Sequence, residues 1–377
     1  MDLGFDESQM MLKNSAREFL QQECPTTYVR AMETDPRGYS PEQWRKVADL
    51  GWLGIAVPEQ YGGMGLSFFD LALLLEEQGR ALMPGPFFST TVLGAMSILE
   101  AGSDAQKAQY LPRIAKGDLI ATLALTEPTA TYEPSGIQAT AMAQGNGYVL
   151  NGTKLFVPDA QVADLLVVAA RTGKTANPAE GVTLFLVDAK APGVTITPLI
   201  TIASDKQAEV ALMDVRVPAG AVLGMANQGW PAVARIIELA AVGKCAEMLG
   251  GADRVLDMTV NYAKDRVQFG RPIGSFQAIQ HHCANMATDV EGCRYVTYEA
   301  AWRVSERLPA TQEVAIAKAW VSDAYRRVCA LGHQSHGAVG FTKEYDLQLF
   351  TRRAKSAEVA YGDADYHREL VAQGLGL

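Results

Sequence analysis

The sequence has no apolar run long enough to span a bilayer. The longest, such as Leu165 to Ala170, fall far short of the roughly 20 residues that a membrane helix needs, and the opening MDLGFDESQ is acidic rather than signal-like. Positive charge is also short: 33 Lys and Arg stand against 42 Asp and Glu, a formal net charge of -9. With no basic tract and no interleaved aromatic run, this excludes a nucleic-acid-binding protein. Cysteine is sparse and odd in number (Cys24, Cys245, Cys283, Cys293 and Cys329), without a CxxC pair. That excludes a disulfide framework and implies buried thiols in a reducing compartment, the cytoplasm. Metal chelation by His281-His282-Cys283 is excluded as well, because adjacent helical residues point about 100° apart. There is no internal repeat, no low-complexity segment and no GxGxxG fingerprint.

What remains is 377 residues, 48% hydrophobic and 20% charged, enough for two or three subdomains with substantial cores. Residues 1–120 read as amphipathic helices. Met11, Leu12, Ala16, Phe19 and Leu20 keep helical spacing, and Ser40-Pro41-Glu42 is an N-cap with proline at the first helical position. Between two such helices, Gly51 to Gly65 is an irregular connection forced by Pro58 and glycines, ahead of a helix over Leu71 to Gly79. From Ile120 the period changes to short β-branched runs, the last spanning Glu209 to Val217, and Asn151-Gly152 between two of them predicts a hairpin turn. From Gly229 helical spacing returns, and Phe276, Ile279, Cys283, Met286, Val290 and Cys293 form one apolar stripe. The expected architecture is α+β, mainly α: a helical domain (1–120), an antiparallel β domain (121–225) and a C-terminal helical bundle (226–377).

The most informative stretch is Tyr262 to Gln280, YAKDRVQFGRPIGSFQAIQ. Val260 to Phe269 reads as the last turns of a helix with Gly270 at C′, and Ser275 reads as the N-cap of the next helix. Lys264, Arg266 and Arg271 gather at this corner. Basic side chains beside a helix start suit an anionic group such as a diphosphate. The segment, with PEQYGG at 58–63 and the helix, strand, helix order, resembles the acyl-CoA dehydrogenase family over essentially the full length.

That resemblance implies FAD held without a Rossmann fold. Arg266, Phe269, Gly270 and Gln277 match the positions that grip its adenosine-diphosphate half, largely on behalf of a neighbouring subunit. Gln334 and the Gly337-Ala338 segment resemble the family's Gln-x-x-Gly-Gly element near the diphosphate, with Ala338 replacing the second glycine. Asp363 falls on a position that touches FAD. Leu125 and Thr126, in LALTEPTATYEP, would meet the flavin edge, and Phe156 stands where a tryptophan commonly covers one flavin face. Two departures accompany these matches. Thr131-Tyr132-Glu133 replaces the usual Gly-Ser-Asp that meets CoA, and Pro158 replaces a threonine whose hydroxyl reaches flavin N5. His333 and His336 are read as structural.

The chemistry implied is removal of an α-proton from an acyl-CoA thioester as a hydride leaves the β-carbon, so a carboxylate must act as base. In many members it is the glutamate of Tyr-Glu-Gly-Thr. Here the matching segment is Ala360-Tyr361-Gly362-Asp363, and a tyrosine, with an ordinary pKa near 10, is a poor base. Isovaleryl and long-chain members carry the base on the helix before the arginine corner. Their position aligns with Ala240, and Glu247 lies seven residues on, on the same face. Glu247 is therefore the expected base, with an ion pair to Lys244 or Arg254 as the competing reading and Glu238 behind it. The alternatives are an FAD-binding subunit of a heteromeric enzyme whose partner supplies the base, and a flavin monooxygenase of the same fold. The partners implied are an acyl-CoA substrate, an electron-transfer flavoprotein and a homo- or heterotetramer.

Overall fold

A computed structural model describes residues 4–377. In chain order its helices are α1 (Glu7–Glu23), α2 (Thr26–Thr34), α3 (Pro41–Asp49), α4 (Phe68–Ala81), α5 (Met96–Ala101), α6 (Asp104–Ala115), α7 (Trp230–Asp265), α8 (Gln277–Ser305), α9 (Thr311–His336), α10 (Leu347–Val359) and α11 (Ala364–Gly374). The strands are β1 (Ala121–Ala124), β2 (Thr140–Gln144), β3 (Gly147–Pro158), β4 (Leu165–Arg171), β5 (Val182–Asp188), β6 (Val194–Leu199), β7 (Gln207–Pro218) and β8 (Val222–Leu223), with a separate pair β9 (Val267–Gln268) and β10 (Arg271–Pro272).

Two compact units form. One comprises residues 4–30, 68–83 and 241–377; the other comprises 31–67 and 84–240. In the first, α8 packs on α9, with α10 and α11 also against α9, α4 against α8 and α1 against α4. Buried acids on α4 tie it together: Glu76 meets Lys13, Arg294 and the Tyr298 hydroxyl, and Glu77 meets Arg17 at 2.7 Å. Gly79 of α4 lies hard against α7, where a Cβ would come within 2.0 Å of the Glu247 carbonyl oxygen. Only glycine permits that approach.

In the second unit the strand order is β6-β7-β3-β2-β4-β5-β8, with β1 on β4. The sheet is mixed where a purely antiparallel one was expected. β1 runs parallel to β4, and β2 touches β4 in parallel at Thr140 and Arg171, while the remaining pairs are antiparallel. β4 and β5 are buried along almost their whole length, as strands covered on both faces must be.

Four local expectations are corrected. Asn151-Gly152 is not a turn: β3 runs through it, and the register against β7 shifts between Leu150 and Gly152. The true hairpin turn is Gly145-Asn146, joining Gln144 to Gly147 from β2, a strand missing from the expected set. Gly152 has φ +149 and sits where a Cβ would meet Ala139 at 2.6 Å, so glycine here serves a bulge. At the corner, α7 stops at Asp265, and Phe269-Gly270 is the two-residue turn of the β9–β10 hairpin rather than a helix end with Gly270 at C′. Finally, Ser275 does not cap α8. It belongs to a short 3-10 turn and donates to the Pro272 carbonyl, and Phe276 is the N-cap residue, with no side-chain cap.

Candidate active site

In the strand-bearing unit, the chain leaves β1 as Leu125-Thr126-Glu127-Pro128 and is sewn at once to β3. Leu155 N–H donates to the Thr126 carbonyl at 2.8 Å, and Lys154 Nζ donates to the Leu125 carbonyl at 3.1 Å. Lys154 Nζ also lies 2.6 Å from Glu127 Oε1. The Glu127 carboxylate accepts from the N–H groups of Gln138 and Ala139. Lys154 is 0% exposed and Glu127 4%, so both charges are out of water and satisfied by each other and by backbone. Burial pulls the Lys154 ammonium down to about 8, with Glu127 pulling the other way.

Between Lys154 and Val157 the register of β3 slips, and Phe156 adopts φ +54 and is 51% exposed. A bulge of this kind re-aims a side chain. Leu125, Thr126 and Phe156 are thereby brought together at one edge. Thr126 is half-buried, and among the described residues no group hydrogen-bonds its hydroxyl. Pro158 has no donor to give, and its carbonyl accepts from the Thr122 hydroxyl.

In the helical unit, the corner presents Arg266, Phe269, Gly270 and Gln277, all exposed, with Phe269 at 91%. Among the described residues no acid pairs with the Arg266 guanidinium. Arg271 lies over the Phe276 ring at 4.2 Å, and Phe269 meets the same ring edge-on. The uncapped start of α8 leaves backbone donors beside these cations.

Gln334 is exposed in the last turn of α9, and Gly337 follows at φ +65 with open space around it, then exposed Ala338. Two histidines brace this turn from below. His336 Nδ1–H donates to the Gly332 carbonyl at 2.7 Å and the ring stacks on Tyr262 at 4.3 Å. His333 pairs with the Thr351 hydroxyl and stacks on Phe341 at 4.2 Å. Burial lowers the pKa of both imidazoles.

Tyr361 is buried at φ +57, and Gly362 follows at φ +93. The turn is pinned from two sides. His367 Nε2 meets the Tyr361 carbonyl at 2.9 Å, and Lys318 Nζ donates to the carbonyls of Gly362 (2.7 Å) and Glu358 (2.8 Å) and to the Ser322 hydroxyl. Burial brings the Lys318 ammonium down to about 8; Cys245, Asp363 and Glu358 hold it up, and Lys244 works with burial. Asp363 caps α11, accepting from Tyr366 N–H at 2.9 Å, which occupies one of its oxygens. Glu247 forms the ion pair with Lys244, Oε2 to Nζ 2.7 Å, with about a quarter of its side chain exposed. Glu238 pairs with Arg235 at 3.3 Å, and Ala240 is fully buried.

Lys154, Glu127 and Lys318 were not among the residues singled out from the sequence. Their signal was present: Lys154 stands in a strand and Lys318 in the apolar run AIAKAWV, where an unpaired cation would be costly. A lone cation in such a setting implies a buried partner, although sequence does not say which.

These residues suit FAD. An unpaired guanidinium beside open helix N–H groups fits a diphosphate, the open glycine turn at Gly337 admits close backbone approach, and the unpartnered Thr126 hydroxyl beside an outward-turned Phe156 fits a flat polar-edged ring.

Comparison with known proteins agrees with this. The chain matches the acyl-CoA dehydrogenase N-terminal domain over residues 6–118, the middle domain over 122–215 and the C-terminal domain over 227–376. It is 34% identical to a Bacillus subtilis (strain 168) protein named "Probable acyl-CoA dehydrogenase YngJ", covering 100% of each chain. Among solved structures, it superposes with TM-score 0.93 and 32% identity on a chain from a study of the electron transferring flavoprotein of Acidaminococcus fermentans, covering 100% of this chain and 99% of that one. It also superposes with TM-score 0.91 and 31% identity on a chain of the ChsE4-ChsE5 complex from Mycobacterium tuberculosis, covering 100% and 99%. Three domain matches in order, and relatives aligned end to end, leave one conclusion: this chain belongs to the acyl-CoA dehydrogenase family and is a flavoprotein oxidoreductase with FAD as its cofactor.

Proposed function

We propose that this protein forms an α,β double bond in an acyl-CoA thioester, with Glu247 as the base that takes the α-proton. Bound FAD supplies the acceptor for the hydride leaving the β-carbon. The observation that carries the reading is the pair formed by Tyr361 and Glu247. Tyrosine holds the place of the usual glutamate, while α7, the helix that bears the base in other members, offers a half-buried carboxylate. Lys244 orients that carboxylate at 2.7 Å. The pinned Tyr361 turn presents its backbone N–H to the thioester carbonyl, whose polarisation acidifies the α-carbon.

The same reading assigns Leu125, Thr126 and Phe156 to the flavin ring, and Arg266, Phe269, Gln277, Gln334, Gly337, Ala338 and Asp363 to the rest of FAD. Electrons pass to an electron-transfer flavoprotein, the assembly is a tetramer, and its five free thiols suit a cytoplasmic setting. A second reading is favoured by Tyr361 itself: the chain is the FAD-binding subunit of a heteromeric enzyme whose related partner carries the base.

Anaerobic titration of the purified flavoprotein with a panel of CoA esters, followed at the flavin band, tests both. Glu247→Gln is expected to slow the reduction by about 10²- to 10⁴-fold. Undiminished reduction in that variant removes Glu247 from the reaction. No reduction by the wild-type chain alone, restored by a co-purifying homologous chain, establishes the heteromeric reading.

A further inference from the structure

The buried ion pair beneath the ring edge has no part in the chemistry above, yet it meets every segment that carries a ring-edge residue. Lys154 reaches the Leu125 carbonyl and the Glu127 carboxylate. Glu127 reaches on to Gln138 and Ala139, the entrance of β2. Between them, Leu155 N–H fixes Thr126, and the β3 bulge that turns Phe156 outward begins at Lys154 itself. Three stretches of chain, distant in sequence, converge on one ammonium and one carboxylate.

We propose that the Lys154–Glu127 pair is a positioning device for the flavin, setting Leu125, Thr126 and Phe156 at the edge that meets its ring. The proposal rests on the assignment of those three residues to the ring. Folding alone does not call for this arrangement, because a buried ion pair is commonly matched in stability by apolar side chains of similar volume. What an apolar pair cannot reproduce is directionality. The ammonium can only donate and the carboxylate can only accept, so one turns a peptide oxygen towards itself, the other a peptide N–H, and each fixes the orientation of the peptide it meets. The Leu125 peptide is held by its oxygen, which sets the direction of the N–H on the next residue, Thr126. The position of Phe156 follows from the same anchor, two residues along the strand.

The test compares holoenzymes of the wild type, K154M/E127Q, K154R, T126V and F156A. Lys154→Met alone would strand the Glu127 charge in the core, so the doubly neutral variant is the primary one, and K154R retains the charge while displacing it. Three readouts are taken: the flavin visible spectrum and midpoint potential, the FAD dissociation constant from reconstitution of apoprotein, and thermal unfolding of the apoprotein. The expected result is a shifted spectrum and potential in K154M/E127Q, with FAD affinity weakened by roughly tenfold. A smaller shift of the same sign is expected in K154R.

The proposal is overturned if K154M/E127Q lowers only the melting temperature of the apoprotein and leaves the spectrum and potential of the bound flavin as in the wild type, while T126V or F156A moves them. If the double variant does not fold, an unchanged spectrum and potential in K154R overturns the proposal in its place. Should T126V and F156A both leave the flavin unaltered, the ring-edge assignment itself fails and this inference falls with it.

Discussion

The ring edge and the arginine corner are both assigned to FAD, yet they are built on opposite terms. At the ring edge every backbone group that matters is tied down by a buried partner, and only Phe156 and the Thr126 hydroxyl are left outward. At the corner nothing is buried. Arg266, Phe269, Gly270 and Gln277 stand in solvent on a hairpin and an uncapped helix start, with Phe269 91% exposed. Phe269, at φ +53, holds its ring almost wholly in solvent. One region is held by buried partners and the other stands in solvent, so stability and cofactor binding should separate differently in the two.

The largest effect should come from the ring edge. Glu127→Ala leaves the Lys154 ammonium buried without its counter-charge and is expected to destabilise the apoprotein by about 3–5 kcal/mol in denaturant unfolding. A loss under 1 kcal/mol would mean that the site takes in water and is not the closed anchor described above.

Next comes the Tyr361 turn, pinned in the same manner. Burial lowers the His367 imidazole to about 4, against a hydrogen bond to Tyr361 that works the other way. The unfolded chain, with its value near 6.5, therefore binds more protons between those limits. The stability that neutral His367 contributes is complete above pH 6.5 and is lost as pH falls towards 4, by about 3 kcal/mol at most. Unfolding measured at pH 7 and pH 4.5 should show this loss, and His367→Gln should remove a corresponding part of the pH dependence.

The smallest effect on stability belongs to the corner. Arg266→Ala should leave apoprotein unfolding within about 0.5 kcal/mol of wild type. FAD affinity should nonetheless fall by roughly 10- to 100-fold, the worth of a charge-assisted hydrogen bond. A variant that loses stability and cofactor together would erase the contrast between the regions.

Much of this was legible in the chain itself, and the failures have a common source. The helix, strand, helix order followed from periodicity, and Ser40 caps α3 as its sequence implied. Asn151-Gly152 misled because a turn signal is local, whereas β3 continues through it under the register of β7, sixty residues on. Gly270 reads as a helix end for the same reason: the sequence shows a glycine and a proline, and only the pairing of Val267 with Pro272 makes them a hairpin. Apolar spacing foretold the stripe on α8, but Met286, Val290 and Cys293 are buried while Phe276, Ile279 and Cys283 remain half-exposed, a distinction that periodicity does not contain.

The sequence by itself determined which side chains stand at the arginine corner, at 125–126 and at 156, because side-chain type and motif spacing are properties of the chain. It also determined that position 361 is a tyrosine. Tertiary structure alone decided that Lys154 finds Glu127, that Lys318 holds the Tyr361 turn, and that Glu247 faces Lys244 rather than Arg254. The physical reason is that a buried charge is tolerable only beside its partner, and the partner is chosen by how distant segments pack.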